Sequence, residues 1–162
     1  MAHSTPYRQL SAAQRTSLVT RAIKSNREMR SMMVTRLVSR GGGFRPATLL
    51  QWPGEKLARE IVRLGAETAD DELNLLNLLY VEFEPQYQTA FLDAAGVKHD
   101  KGQMPDDLQP PFATADAVAK AAAVVIEQFG DDGRHYLQTI AKYNGAGWPG
   151  LDGVLGASVP TT

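Results

Sequence analysis

The first long stretch of regular hydrophobic spacing lies between residues 11 and 40. Ser11 followed three residues later by Gln14 has the form of a capping box, and the GGG at 41–43 ends the pattern. We therefore predict one long helix over 11–40, roughly 45 Å at ~1.5 Å per residue, part of which should project from a small domain. Its apolar face consists of Leu18, Ala22, Met29, Met33 and Leu37, with Val19 and Ile23 beside them.

Four further segments have helical spacing, and none has the alternation of a β-strand. The stretch LNLLNLLYVEF is apolar almost all round, which is typical of a central, buried helix that Pro85 then kinks or ends. The predicted fold class is all-α, a bundle of about five helices. After the long N-terminal helix, the predicted spans lie near 53–65, 69–95, 114–129 and 132–144.

Two segments lack this periodicity. Residues 97–113 contain three prolines and form a long loop that is either functional or held by its own packing. Residues 145–162 hold five of the 14 glycines, which predicts a Gly-rich C-terminal tail. With 162 residues the chain has the size of one domain. Within it we distinguish a basic arm and helix (1–45), an acidic helical bundle (46–150) and a C-terminal tail (151–162).

The tripeptide WPG occurs twice, around the chain's two tryptophans, Trp52 and Trp148. The flanking residues share no further pattern, so no internal repeat is predicted. A proline in the first turn of a helix loses no hydrogen bond, and Trp52 would pack just ahead of that helix, whereas Trp148 would dock the tail on the bundle. A packing role is favoured over a shared ligand site. Trp52→Ala should then cost about 3 kcal/mol, more than Trp148→Ala.

Charge divides the chain more sharply than its net value of −1 suggests. Residues 1–45 carry eight arginines and one lysine against the single acid Glu28, a net charge of +8, so the remainder carries −9. Such a split indicates either a basic arm for an anionic partner or two halves that attract each other, within one chain or between chains. The candidate cations for an anionic partner are Arg15, Arg21, Lys24, Arg27, Arg30, Arg36, Arg40 and Arg45.

These cations fall on several sides of the predicted helix and interleave with methionines. No aromatic residue lies between Tyr7 and Phe44, which disfavours both base stacking and anchoring at a membrane surface. We therefore favour packing of the apolar stripe on the acidic bundle, of the same or another subunit, over binding of nucleic acid.

Glu82 is the one acid that the helical wheel places inside the apolar arc, between Leu75 and Leu78. A carboxylate buried there needs a partner. Glu82 is either a general acid, a general base or a metal ligand, or it forms an ion pair with an arginine. We favour the ion pair, with Arg59 or one of Arg15 to Arg40 as the partner.

Two histidines are weaker candidates for a ligand or metal site. His135 follows Asp131 and Asp132 at helical spacing, but the wheel turns it away from the apolar face, which favours a solvated side chain. His99 lies in the long loop with three aspartates and matches no metal motif, which favours a solvated loop. The candidate ligand-binding residues are Glu82, His99, His135, Trp52 and Trp148, and no cofactor or metal is predicted.

Several classes are disfavoured by what the sequence lacks. It has no Cys for a disulfide or thiolate, and no GxSxG, HExxH or glutamate three residues before a histidine, which removes nucleophile-elbow hydrolases, zincins and ferritin-type sites. It has no apolar run of about 18 residues for a transmembrane segment and no signal-type start, so a cytoplasmic location is expected.

The resulting functional hypothesis is a non-catalytic helical binding or interaction protein that self-associates, as a homodimer. The first alternative is a protein that binds nucleic acid, or an acidic protein, through the basic N-terminal helix. The second is a metal- or ligand-dependent enzyme that uses Glu82 and a histidine.

Overall fold

In a computed structural model, residues 4–40 and 43–157 of the chain are described. Within these ranges the backbone is helical, and no strand occurs beyond an isolated bridge between Asp100 and Gln103. The predicted all-α class is confirmed. The helices are α1 (Pro6–Gln9), α2 (Ala12–Ser25), α3 (Arg27–Ser39), α4 (Pro46–Leu50), α5 (Gly54–Leu64), α6 (Ala69–Asn77), α7 (Gln86–Ala95), α8 (Ala115–Phe129), α9 (Asp131–Asn144) and α10 (Leu151–Ala157).

The predicted count of about five helices is too low. Three of the ten helices in the described ranges, α1, α4 and α10, have seven residues or fewer, too short to show a hydrophobic period. The chain folds into two compact units, which we call unit 1, up to Leu78, and unit 2, from Leu79 onward. The division of the chain at residues 45 and 150 stays a prediction.

The single long helix predicted over 11–40 is wrong, because the chain leaves helical geometry at Asn26. The backbone of Asn26 is extended (φ −137°, ψ 111°), and its side-chain oxygen accepts a hydrogen bond from the Met29 amide at 3.1 Å. Asparagine is among the best residues for starting a helix in this way. The predicted capping box of Ser11 and Gln14 is present at the start of α2.

Neither α2 nor α3 projects, since both pack against α5 in unit 1. The apolar face of α5 meets them with Leu57, Ala58 and Ile61. The residues that α2 and α3 bury are Leu18, Val19, Ala22, Ile23, Met29, Met33, Val34 and Leu37. The predicted apolar stripe is therefore the core of unit 1.

In unit 2, α8 packs against both α7 and α9, and α10 contacts α8 and α9. The small side chains of α8 permit this close packing, and Gly133 of α9 has the same effect. A Cβ atom at Gly133 would lie 2.6 Å from the carbonyl oxygen of Val125, closer than atoms of this kind approach. The core side chains of these helices include Tyr87, Phe91, Leu92, Val118, Ala121, Ala122, Val125, Tyr136 and Leu137.

The C-terminal segment is more regular than a Gly-rich tail. Residues 145–147 form a 3-10 turn, and α10 follows despite containing two glycines. Glycine weakens a helix by about 1 kcal/mol, but burial of Trp148, Leu151 and Leu155 offsets that cost. Residues 158–162 of the predicted tail lie outside the described residues.

The predicted helix over 69–95 is interrupted by a π-helical segment, Leu78–Phe83, before α7 begins after Pro85. The amide of Glu84 donates to the carbonyl of Leu79, five residues back, at 2.7 Å. Each residue of such a segment turns through less than the 100° of an α-helix, so the helical wheel loses its phase here. Glu82 is consequently exposed, so the buried position that the helical wheel predicts for it is wrong, and its ion pair with an arginine stays a prediction.

Candidate functional site

The candidate site is a pocket in unit 2, beside the π-helical segment. It encloses ≈ 250 Å³. Because one water takes about 30 Å³ of the liquid, this is room for about eight waters, or for one small molecule. Its lining consists of Tyr80, Val81, Pro85 and Gln88 on one side and Asp100, Lys101, Gly102 and Gln103 on the other.

Tyr80 is the buried aromatic residue of this lining, with 6% of its surface exposed. Its ring packs edge-on against Tyr87 and Tyr136, with centroids 5.6 and 5.1 Å away. Burial, with smaller contributions from Tyr87 and Glu84, raises the pKa of the Tyr80 hydroxyl. The hydroxyl therefore stays protonated, and it shares a hydrogen bond with Nδ1 of His135.

The opposite side of the pocket is a tight turn, Asp100–Gln103. The two end residues exchange backbone hydrogen bonds of 2.9 and 3.0 Å. Lys101 and Gly102 both have positive φ, 52° and 91°, as in a type I′ turn. Lys101 is the one residue other than glycine with a positive φ in the described part of the chain, and this conformation costs about 1 kcal/mol.

The backbone amide and the carbonyl of Gly102 in this turn are each hydrogen-bonded to a side chain. Gln88 of α7 donates to the Gly102 carbonyl, and the Gly102 amide donates to Nδ1 of His99 at 2.9 Å. The other ring nitrogen of His99 donates to Asp93 of α7 at 2.6 Å. This part of the long loop is therefore fastened to α7, which maintains the strained conformation of Lys101.

The structure places the two candidate histidines differently from the sequence. The solvated side chain predicted for His135 is wrong, because the ring is half-buried and bonded to Tyr80 behind the pocket. His99 is also largely buried, and it borders a second, more open cavity of ≈ 330 Å³ beyond Asp100 and Gln103. No three carboxylates or histidines within residues 4–40 and 43–157 are arranged to hold a metal ion.

Neither tryptophan lines the pocket. Trp148 is 3% exposed and packs between Phe91 and Phe112, with ring centroids at 4.8 and 5.2 Å. Trp52 is only half-buried, against Phe44 at 5.3 Å and under the Lys56 ammonium at 4.2 Å. The expected order of their contributions to stability is therefore reversed.

Part of the basic arm forms ion pairs inside unit 1. Arg36 donates to the two oxygens of Asp71, at 2.9 and 3.4 Å, and Arg8 lies 3.4 Å from Glu72. Burial alone would raise the pKa of Asp71, but hydrogen bonds from Arg36 and Thr68 and the charge of Arg36 outweigh it and lower that pKa. The attraction between basic and acidic segments thus acts within this chain, at the first turn of α6.

Two more arginines bind backbone carbonyls near the ends of helices. Arg30 donates to the carbonyls of Leu50 and Trp52, at 3.0 and 2.7 Å, and Arg40 donates to that of Gly65 at 2.7 Å. These carbonyls lie at or just beyond the C-terminal ends of α4 and α5, where a positive charge is favourable. The candidate cations Arg30, Arg36 and Arg40 thus bind groups of unit 1. Arg15 is half-buried, whereas Arg21, Lys24, Arg27, Arg40 and Arg45 are exposed.

Sequence reasoning missed most of the pocket. Gly102 within DKGQ is a turn signal that was available. Nothing in the sequence marks Tyr80 as a pocket residue, because its neighbours predict a regular helix. Its partner His135 lies 55 residues away.

None of the helices in the described ranges has the length and hydrophobicity needed to cross a membrane. Comparison of the chain with protein-family models, with curated proteins and with solved structures finds no significant match.

Proposed function

We propose that the protein is a non-catalytic binding protein and that unit 2 holds a small molecule in the pocket described above. One observation carries this proposal. The π-helical segment and the strained residue Lys101 are two departures from regular backbone geometry, and both line the same pocket. Such departures cost stability and concentrate at functional sites.

Binding is favoured over catalysis by the state of the aromatic lining. The Tyr80 hydroxyl is engaged by His135, and its raised pKa keeps it a hydrogen-bond donor at neutral pH. It is therefore unsuited to act as a base. Glu82 is exposed and does not line the pocket, so it gives the enzymatic alternative no support at this site.

Filling the pocket should abolish binding. Val81 lines the pocket and is exposed, so Val81→Trp adds a large side chain there without disturbing the core. We expect ligands from a small-metabolite library to raise the midpoint of thermal unfolding of the wild type, since a ligand that binds only the folded state stabilises it. The same ligands should not change the unfolding midpoint of the Val81→Trp variant.

The matched control is Val124→Trp, which makes the same change at an exposed valine of α8 outside the pocket. This variant should retain the ligand-induced shift. Ligands that stabilise Val81→Trp as strongly as the wild type would contradict the proposed site.

A second candidate function is binding of nucleic acid or an acidic protein through unit 1. Unit 1 has twelve Lys and Arg against seven Asp and Glu, a net charge of +5, and Lys24, Arg27 and Arg45 are exposed. With about three phosphates contacted, the logarithm of affinity for heterogeneous DNA should fall with the logarithm of salt concentration at a slope of about −3. Binding titrations at several salt concentrations measure this slope.

In the double variant Lys24→Gln with Arg27→Gln, this slope should become shallower, at about −1, because two phosphate contacts are lost. Arg59→Gln is the control, because this exposed arginine of unit 1 is paired with Glu55 at 3.0 Å. A DNA affinity independent of salt, or unchanged in the double variant, would rule this candidate out.

Self-association as a homodimer stays a proposal. Its test is sedimentation of the full-length chain. Deletion of residues 1–40 is unsuitable, because α2 and α3 form much of the core of unit 1.

A further inference from the structure

The two sides of the pocket differ in chemistry. The side that contains the π-helical segment contributes Tyr80, Val81 and Pro85, which are mainly apolar, with the amide of Gln88 bound to Gly102. The turn contributes Asp100 and Lys101, an anion and a cation on adjacent residues. A ligand in this space therefore meets an apolar surface on one side and both signs of charge on the other.

The two charges are available to a ligand. Both side chains are exposed, and neither forms an ion pair with another residue in the described ranges of the chain. Their backbone is fixed, because His99 and Gln88 hold Gly102 from its amide and its carbonyl. The backbone of this turn is therefore already ordered in the free protein, which reduces the entropy lost on binding.

Opposite charges on neighbouring residues select against ligands of a single charge. A simple anion attracted by Lys101 would be repelled by Asp100, and a simple cation would be repelled by Lys101. An α-amino acid carries its ammonium and its carboxylate on one carbon. A ligand of this type therefore presents both signs of charge at one end, and the adjacent residues Asp100 and Lys101 contribute both signs to the pocket lining.

Building on the proposed function, we infer that the ligand is a small zwitterion of the amino-acid type with an apolar side chain. Asp100 accepts the ammonium and Lys101 binds the carboxylate. The apolar side chain lies against Tyr80, Val81 and Pro85. The space of ≈ 250 Å³ accommodates an amino acid.

The test is calorimetric titration of the wild type with valine, leucine and phenylalanine. For whichever binds best, the N-acetyl derivative removes the ammonium charge and the amide removes the carboxylate. Each derivative should bind about 10-fold more weakly, the loss expected for one charge-assisted hydrogen bond at a partly exposed site.

Two variants assign the charges. Asp100→Asn should bind the amino acid and its N-acetyl derivative equally, and Lys101→Gly should bind the amino acid and its amide equally. Lys101→Gly should also raise the unfolding midpoint, because glycine adopts φ near 50° without strain, whereas Lys101→Gln loses the same charge and gains no stability. If Lys101 had only a structural role, ligand affinity and stability would change together in these two variants.

Two results would overturn the inference. One is the absence of binding by all three amino acids at millimolar concentration, and the other is equal affinity for the amino acid and its two derivatives. Both leave the pocket itself testable, because a ligand of another class that stabilises the wild type and not Val81→Trp would still support the proposed function.

Discussion

Asp71→Asn is expected to destabilise unit 1 by about 2 to 3 kcal/mol. Asp71 is fully buried, accepts two hydrogen bonds from Arg36 and accepts a third from the Thr68 amide at 2.9 Å. Removing one partner of a buried ion pair costs about 3 to 5 kcal/mol, because the remaining charge is left without compensation. Arg36 is 31% exposed, so water recovers part of this loss.

The matched control is Asp70→Asn, the same substitution one residue earlier on α6. Asp70 is exposed, so its loss should cost only a weak attraction to Arg36 and the favourable interaction with the helix dipole, together about a few tenths of a kcal/mol. Denaturant unfolding followed by Trp52 fluorescence, in a Trp148→Phe background, reports on unit 1. Equal destabilisation by the two substitutions would mean that the Arg36 pair is not structural.

The lowered pKa of Asp71 also sets the direction of a pH effect. A carboxylate whose pKa is lower in the folded state contributes stability above its unfolded pKa of about 3.9, and this stability is lost as pH falls through the folded value. The difference in stability between wild type and Asp71→Asn should therefore shrink below about pH 4.

Trp148→Ala is expected to have the largest effect, a loss of about 3 to 5 kcal/mol in unit 2. The indole is 3% exposed and fills the space between Phe91 and Phe112, which a methyl group would leave as a cavity. Trp52→Ala is the comparison, and about 1 to 2 kcal/mol is expected because the Trp52 ring is only half-buried.

Each unit contains one tryptophan, so helical circular dichroism should be recorded alongside fluorescence from the tryptophan that remains. In Trp148→Ala, the Trp52 fluorescence should report an unchanged midpoint for unit 1 if the units unfold independently. A cost for Trp52→Ala equal to or above that for Trp148→Ala would restore the order that the sequence predicts.

The parts of the fold that the sequence predicts are those encoded by nearby residues. The capping box of Ser11 and Gln14 acts within one helical turn, and it is present. The spans of α5, α8 and α9 agree with the predictions within one residue at each end.

The parts that sequence reasoning missed are local departures from regular α-helical geometry. Asn26 interrupts an otherwise continuous helical pattern, and no glycine or proline marks the break. The π-helical segment changes which side chains face inward, and an ideal helical wheel does not represent that change. The error at Glu82 and the omission of Tyr80 share this cause, whereas the error at His135 arises from its bond to Tyr80, 55 residues away.

The carbonyl contacts of Arg30 and Arg40 bear on how alanine scanning of the basic segment should be interpreted. Removing either guanidinium, or that of Arg36, withdraws a donor from groups inside unit 1, so a loss of partner binding in these variants would report misfolding and recognition together. Lysine is not a neutral replacement at Arg36, because it lacks the planar fork that engages both carboxylate oxygens. Only substitutions at exposed positions such as Lys24 and Arg27 separate recognition from folding.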